Sequence, residues 1–137
     1  MEVKNYILGE WIAGKGIEIE HQNAITGEII SSCSSADLDY EAILNYGRKI
    51  GSSALRKMTF QQRGEMIKSL ALHLHKKKEI FYELSKATGA TRIDSWIDIE
   101  GGIGNLFANA SLRRQFPDLP YHVDGQAAPL SKNGTFI

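Results

Sequence analysis

The sequence predicts an α+β fold: a small β-meander over residues 1–35, about four helices over 36–115 and an extended tail over 116–137. Glycines divide the first 33 residues into short pieces that are typical of strands. From about residue 36 onward the apolar period lengthens to roughly 3.6, which indicates helix. All three prolines fall in the last 21 residues, so regular helix is expected to end near Gln115.

The predicted meander begins with a hairpin. Residues 6–8 and 11–12 flank Gly9-Glu10, which places glycine first in a two-residue II′ turn. In the next strand, over 17–20, isoleucines alternate with glutamates, so one face of the strand is apolar. Gly27 supplies the permissive backbone of a turn, and a strand over 28–33 follows it.

The first predicted helix covers residues 38–55, and it contains two residues that weaken it. Its N-terminal cap is one of three polar residues, Ser35, Asp37 or Asp39. Gly47 and Gly51 lie inside the helix, where each lowers its stability.

Capping motifs mark the remaining helices. Thr59 with Gln62 forms a capping box that opens a helix running to about residue 76. A third helix over 77–88 stops at Gly89, a residue suited to the left-handed conformation past a helix end. Thr91 with Asp94 opens the fourth helix in the same style, and it continues through residue 107.

Composition excludes several classes of protein. Sixteen Lys and Arg residues balance sixteen Asp and Glu residues, so the neutral chain has no general attraction to nucleic acid or to an anionic membrane. No apolar run exceeds three residues, whereas a membrane-spanning helix needs about 20, and the first residues lack the apolar stretch of a signal peptide. A single cysteine, Cys33, excludes a disulfide scaffold. We therefore expect a cytoplasmic protein without nucleic-acid or membrane partners.

One stretch is locally basic: residues 61–92 hold seven basic and three acidic side chains, and they include the run Lys76-Lys77-Lys78. This run lies at a predicted helix end, where cations interact favourably with the helix dipole. We favour a solvated helix end over a phosphate-binding patch.

The sequence contains no complete catalytic or metal-binding constellation. His73 and His75 are two apart, so on a helix they point about 200° from each other and cannot bind one metal together. The sequence neighbours of Cys33 are serines, which supply neither a base nor a cation to activate it. Asp98 and Glu100 also face different ways on a helix, which removes the geometry of an acid and base pair. No catalytic or metal residue is predicted.

The run Gly101-Gly102-Ile103-Gly104 superficially suggests a phosphate loop. A dinucleotide-binding fingerprint needs a third glycine where Phe107 stands and a strand immediately before the run, and both are missing. Inside a helix each glycine costs about 1 kcal/mol relative to alanine. Close approach of another helix or open space for a ligand could offset this cost, and we favour close packing.

Several motifs together resemble a known family. They are Leu8-Gly9-Glu10-Trp11, Asn23-Ala24-Ile25-Thr26-Gly27-Glu28, Met58-Thr59-Phe60 with Arg63, Thr88-Gly89-Ala90-Thr91-Arg92, Asp94-Ser95-Trp96, Asp98 through Gly104, and Pro129-Leu130-Ser131-Lys132. In this order they resemble the N-terminal segment of the PaaZ-type bifunctional phenylacetate-degradation enzymes of the aldehyde dehydrogenase superfamily. Ala24 stands where aldehyde dehydrogenases commonly have proline, and PaaZ-type members tolerate alanine there.

The resemblance implies the N-terminal part of an aldehyde dehydrogenase domain, truncated before the Rossmann sheet. In this family an NADP-dependent aldehyde dehydrogenase is joined to a hydratase part, which opens the ring of oxepin-CoA to a semialdehyde that the dehydrogenase oxidises. The family's nucleophilic cysteine, general-base glutamate and cofactor loop would lie beyond Ile137. The resemblance therefore predicts that this chain binds no cofactor and is inactive alone. Its implied partners are the remainder of the dehydrogenase chain or sister subunits of a homo-oligomer.

The resemblance also suggests a substrate entrance. In aldehyde dehydrogenases the last helix of this layer borders the entrance, and one face of the corresponding stretch here carries Ile97, Gly101 and Gly104. The glycines would widen the opening for a bulky CoA-linked substrate. The alternative to the whole assignment is a standalone helical protein-interaction module, and nucleic-acid binding ranks last.

Overall fold

Small sheets and a layer of helices make up the chain, which confirms the α+β class. The computed structural model describes residues 1–125, 128–131 and 134–136. The strands are β1 (Glu2–Val3), β2 (Asn5–Ile7), β3 (Glu10–Ile12), β4 (Ile19–Gln22), β5 (Ile29–Cys33), β6 (Ala128–Ser131) and β7 (Gly134–Phe136). The helices are α1 (Tyr40–Tyr46), α2 (Ser53–Lys57), α3 (Phe60–Lys76), α4 (Lys78–Lys86) and α5 (Arg92–Ser111). None of the described helices is both long and apolar enough to cross a membrane.

The first hairpin, β2 with β3, turns one residue earlier than predicted. Ile7 pairs with Glu10, so the turn residues are Leu8 and Gly9, not Gly9 and Glu10. Both have positive φ, at 55° and 86°, which makes the turn type I′, and the predicted II′ turn is wrong. Tyr6 lies opposite Trp11 with ring centroids 5.1 Å apart, and this cross-strand aromatic pair favours the observed register.

The other three N-terminal strands, β1, β4 and β5, do not form a simple meander, which corrects the prediction. β1 pairs in parallel with β5, and β5 pairs antiparallel with β4, so the sheet order is β1-β5-β4 and the hairpin stays outside it. β4 also starts two residues later than the predicted strand, at Ile19. Ile17 therefore lies before the strand with 88% of its surface exposed.

The first predicted helix forms in three parts. Asp39 is its cap, because its side chain accepts a hydrogen bond of 2.8 Å from the Ala42 amide. A π-helical stretch, Gly47–Ser52, separates α1 from α2. It begins at Gly47 and contains Gly51, the two residues that were expected to weaken the helix.

The predicted capping boxes of α3 and α5 are both present. Thr59 accepts a hydrogen bond from the amide of Gln62, whose side chain accepts one from the Thr59 amide, and Thr91 and Asp94 make the same exchange. Gly89 has a φ of 79°, as the left-handed position after α4 requires. α5 ends at Ser111, and a 3-10 turn, Leu112–Gln115, completes the helical region.

The core lies where α5 crosses α3 and packs against α4. Ala71 of α3, Tyr82 of α4, and Ile103 and Ala110 of α5 are its buried apolar side chains. Gly64 permits the close approach of α3, since a Cβ there would lie 2.5 Å from Arg113 Cδ and 3.0 Å from the Ala110 carbonyl oxygen. Arg113 also forms an ion pair with Glu65 beside this crossing.

The tail corrects another expectation. Its residues 116–125 contain no helix, as the prolines predicted. The rest of the tail was expected to be extended chain, but it contains two paired strands, in which β7 pairs antiparallel with β6, with Pro129 opposite Thr135. Proline is tolerated in β6 because an edge strand can leave its missing donor unpaired. Lys132 and Ile137, which the predictions included, lie outside the described residues.

Candidate functional site

The residues predicted to line a substrate entrance share the outward face of α5. Ile97, Gly101 and Gly104 are four and three positions apart, which places them on one side of the helix. Ile97 is 59% exposed, and a Cβ at Gly101 or Gly104 would meet no atom within 4 Å. The close packing that we favoured for these glycines is therefore not made by any described residue.

The opposite face of α5 carries a polar contact with α4. Ser85 of α4 and Ser95 of α5 share a hydrogen bond of 2.8 Å between their hydroxyl oxygens. Ser95 is buried, and its hydroxyl also donates to the Thr91 carbonyl at 2.9 Å. A buried hydroxyl needs such partners, so this pair fixes how α4 lies against α5.

A charged cluster extends the same interface. Lys78 Nζ lies 2.9 Å from Glu100 Oε1, and the buried Tyr82 hydroxyl donates to that oxygen at 3.1 Å. The guanidinium of Arg92 stacks on the Tyr82 ring, with its carbon 3.7 Å from the ring centroid. Glu100 thus accepts hydrogen bonds from two side chains of α4, and it does not form an acid and base pair with Asp98.

These contacts shift the pKa values of the cluster. The hydrogen bond from Lys78 is the main cause that lowers the pKa of Glu100, and the bond from Tyr82 acts in the same direction. The same bond to Glu100 raises the pKa of Lys78. Burial is the main cause that raises the pKa of the Tyr82 phenol, and Glu100 adds to it. The charged Lys78–Glu100 pair is thus the favoured state at neutral pH.

An apolar pocket of about 320 Å³ lies between α3, α4 and α5. It is lined by Leu74, Phe81, Ile99, Gly102, Ile103 and Leu106. A Cβ at Gly102 would meet no atom within 4 Å, so this glycine leaves the pocket open. The lining offers hydrophobic contact and no side-chain hydrogen-bonding group.

The sheet brings a base to Cys33, which corrects the expectation that none is near. The antiparallel pairing of β4 with β5 sets His21 Nε2 3.7 Å from Cys33 Sγ. The other ring nitrogen, Nδ1, lies 3.0 Å from Ser31 Oγ. The three side chains thus form a chain of polar contacts across the two strands. No sequence pattern indicated this contact, because His21 lies just beyond the strand that was predicted over 17–20.

The described residues hold neither a metal cluster nor a dinucleotide loop. No group of three or more His, Cys, Asp or Glu side chains among them could hold a metal ion. His73 and His75 are both exposed on α3. The Gly101-to-Gly104 run lies inside α5 and not between a strand and a helix, so its backbone amides are not free to hold a pyrophosphate. These residues do not fit NADP, and we assign them no step that involves it.

Comparison with known proteins shows a similarity along the length of the chain. No protein-family model matches. A 3,4-dehydroadipyl-CoA semialdehyde dehydrogenase from Aromatoleum evansii is 27% identical to this chain over an alignment of 137 positions, and the alignment covers 99% of the chain. The chain spans 27% of the length of that relative. The similarity agrees with the aldehyde dehydrogenase resemblance that the motifs indicate.

Proposed function

We propose that this chain acts as scaffold in the N-terminal part of an aldehyde dehydrogenase that oxidises a CoA-linked semialdehyde during phenylacetate breakdown. The observation that carries the proposal is the similarity to a semialdehyde dehydrogenase along 99% of the chain. In this proposal the remainder of the dehydrogenase supplies the nucleophile, the general base and the NADP site. The chain alone is then inactive.

The exposed apolar surface supports a scaffold role. Trp11 is 68% exposed and Trp96 is 57% exposed, and Ile93 lies on the same helix as Trp96 with most of its surface in water. Large apolar side chains that are exposed together usually mark surfaces that another element covers. In this proposal the covering element belongs to the same dehydrogenase or to a sister subunit.

The outward face of α5 has a specific role in this proposal. Ile97, Gly101 and Gly104 border the substrate entrance, and the glycines leave room for the CoA-linked end of the substrate. The space is open in the described residues, because a Cβ at either glycine would have no neighbour within 4 Å.

The test uses a chimera in which residues 1–137 replace the aligned region of the Aromatoleum enzyme. We expect NADP-dependent oxidation of a semialdehyde by the chimera, and none by the isolated chain. The relative without its own N-terminal region is the negative control. A folded chimera that is no more active than this control would refute the scaffold role, and turnover by the isolated chain would refute its inactivity.

The same chimera tests the entrance. Gly101→Leu is expected to raise KM for the CoA-linked semialdehyde much more than KM for a small aldehyde, since only the larger substrate needs the space. Leucine at Gly47, a helical glycine that also has no neighbour within 4 Å of a Cβ, is the matched control. Equal changes in KM for the two substrates would refute the entrance.

The alternative function is a standalone helical interaction module. Its support is that the chain has a core of its own, formed by α3, α4 and α5, in which Ala71, Tyr82, Ile103 and Ala110 are buried. Gel filtration and thermal melting of the purified chain separate the two proposals. A monomer with a sharp, cooperative transition favours the module, whereas self-association through the exposed apolar faces favours the scaffold.

A further inference from the structure

A basic pocket lies on the π-helical stretch Gly47–Ser52 and on α2. It has a volume of about 560 Å³ and is lined by Arg48, Ser52, Ser53, Arg56 and Lys57. We call it the basic pocket. Its walls thus combine three cations with two hydroxyl groups, and they contain no carboxylate.

The π-helical stretch explains how these side chains come together. Arg48 and Ser52 lie within Gly47–Ser52, while Ser53, Arg56 and Lys57 belong to α2. A π-helix closes its hydrogen bonds over five residues, so side chains four and five positions apart lie one above the other. Arg48 is therefore placed over both Ser52 and Ser53. Such stretches are frequent at functional sites.

The charge in this region is concentrated and uncompensated. Residues 47–57 contain four basic side chains and no acidic one, in a chain whose formal net charge is zero. Among the described residues none of the three cations of the pocket forms an ion pair.

The other arginines provide the contrast, because several of them are engaged within the protein. Arg113 pairs with Glu65, Arg92 stacks on Tyr82, and Arg63 donates to the Pro120 carbonyl. The guanidinium groups of Arg48 and Arg56 remain available to a ligand of opposite charge.

We propose that the basic pocket binds a small molecule that carries a phosphate ester or a pyrophosphate. Guanidinium groups match the geometry of phosphate oxygens, with two parallel hydrogen bonds to each group. Ser52 and Ser53 add hydroxyl donors, and Lys57 adds a compact charge. The three cations of the lining repel metal ions and other cationic ligands, and no carboxylate in the lining offsets this repulsion. This inference does not depend on the proposed dehydrogenase function.

The test is calorimetric titration of the purified 137-residue chain with inorganic pyrophosphate and, separately, with adenosine 3′,5′-bisphosphate. We expect saturable binding at one site, weakened by added salt. The tighter of the two probes identifies the source of the phosphate, a pyrophosphate or a phosphomonoester. If neither probe binds saturably, the proposal is wrong.

Variants locate the binding. Arg48→Gln and Arg56→Gln should each weaken it roughly tenfold, because each removes one charged donor group from the pocket. Ser52→Ala tests the hydroxyl without changing the charge and should weaken binding less. The matched control is the double variant Lys76→Gln and Lys77→Gln, which removes two charges outside the pocket and should leave binding unchanged.

Two results would overturn the proposal even if binding occurs. Equal weakening by the pocket variants and by the lysine control would show a diffuse charge effect. Tighter binding of a short DNA duplex than of either small probe would show a nucleic-acid surface. Circular dichroism of each variant confirms that the helices are retained, so that a loss of binding reports on the pocket.

Discussion

Alanine at Gly64 and alanine at Gly101 are expected to change the stability of this protein in opposite directions. Both glycines lie inside long helices, α3 and α5. Replacing an interior helical glycine by alanine gains about 0.5–1 kcal/mol, because the unfolded chain loses conformational freedom. Since this gain is common to both sites, the difference between the two changes in unfolding free energy measures the effect of the atoms around each new methyl group.

The surroundings differ sharply. A Cβ at Gly64 would lie 2.5 Å from Arg113 Cδ, 2.8 Å from Arg113 Cβ and 3.0 Å from the Ala110 carbonyl oxygen, whereas a Cβ at Gly101 would meet nothing within 4 Å. Arg113 Cβ and the carbonyl are fixed to the backbone, so α3 and α5 must move apart to admit the methyl. Overpacking of this kind costs about 1–3 kcal/mol. We expect a net loss of about 1–2 kcal/mol for Gly64→Ala and a gain of about 0.5–1 kcal/mol for Gly101→Ala.

Urea unfolding followed by far-ultraviolet circular dichroism measures both changes. The midpoint should fall for Gly64→Ala and rise for Gly101→Ala, with the same denaturant dependence as the parent chain. In thermal melting each 1 kcal/mol corresponds to about 3–5 °C for a chain of this size. Stabilisation by Gly64→Ala would refute the close crossing of α3 and α5. Destabilisation by Gly101→Ala would refute the open face of α5.

Three further predictions concern the charged cluster, the helix caps and the thiol. The lowered pKa of Glu100 means that its contribution to stability is present above the ordinary value of 4.5 and is lost as pH falls through the folded value. Urea unfolding of Glu100→Gln should therefore lose less stability on acidification than the parent chain, and an identical pH profile would contradict this. Thr59→Ala and Thr91→Ala should each cost about 0.5–2 kcal/mol in the same assay, while unchanged midpoints would show that the capping boxes do not form. His21→Ala should slow alkylation of Cys33 by iodoacetamide at neutral pH more than Ser31→Ala does; equal rates in all three proteins would exclude His21 as the base.

The features that the sequence predicted correctly depend on residues a few positions apart. The capping boxes at Thr59 and Thr91 involve side chains and amides within one helical turn, and the cap at Asp39 reaches three residues. Gly89 was identified for a backbone conformation that few other residues adopt. All residues that form these features lie within a few positions of one another, so tertiary packing has little effect on whether the features form.

The errors arise where distant residues decide the outcome. The first turn shifted by one residue because pairing Tyr6 with Trp11 sets the register of the hairpin. The parallel pairing of β1 with β5 joins residues about thirty positions apart, and no local pattern specifies it. The prolines predicted an extended tail but not its pairing, because that pairing depends on the register of β6 against β7, and an edge strand accepts proline.

The same distinction applies to the chemistry. A helical period correctly separated His73 from His75, because both lie on one helix whose geometry is known. The contact between His21 and Cys33 crosses two strands and depends on their exact register, which places Ile19 opposite Cys33 and His21 opposite Ser31. The basic pocket depends on the π-helical stretch Gly47–Ser52. In the sequence, only Gly47 and Gly51 indicated that the helix is irregular there.

The glycines on the outward face of α5 lower the stability of the helix, and this cost needs an explanation. Gly101 and Gly104, which lie on this face, together cost the helix about 2 kcal/mol relative to alanine. The capping box at Thr91 and the packing of Ile103 and Ala110 can offset that cost, but they do not require glycine at these positions. Since no described atom lies within 4 Å of a Cβ at either glycine, packing within the described residues does not explain them. We propose that they leave space for a group that approaches α5 from outside, and the comparison of KM values for Gly101→Leu distinguishes a bulky substrate from a covering protein element.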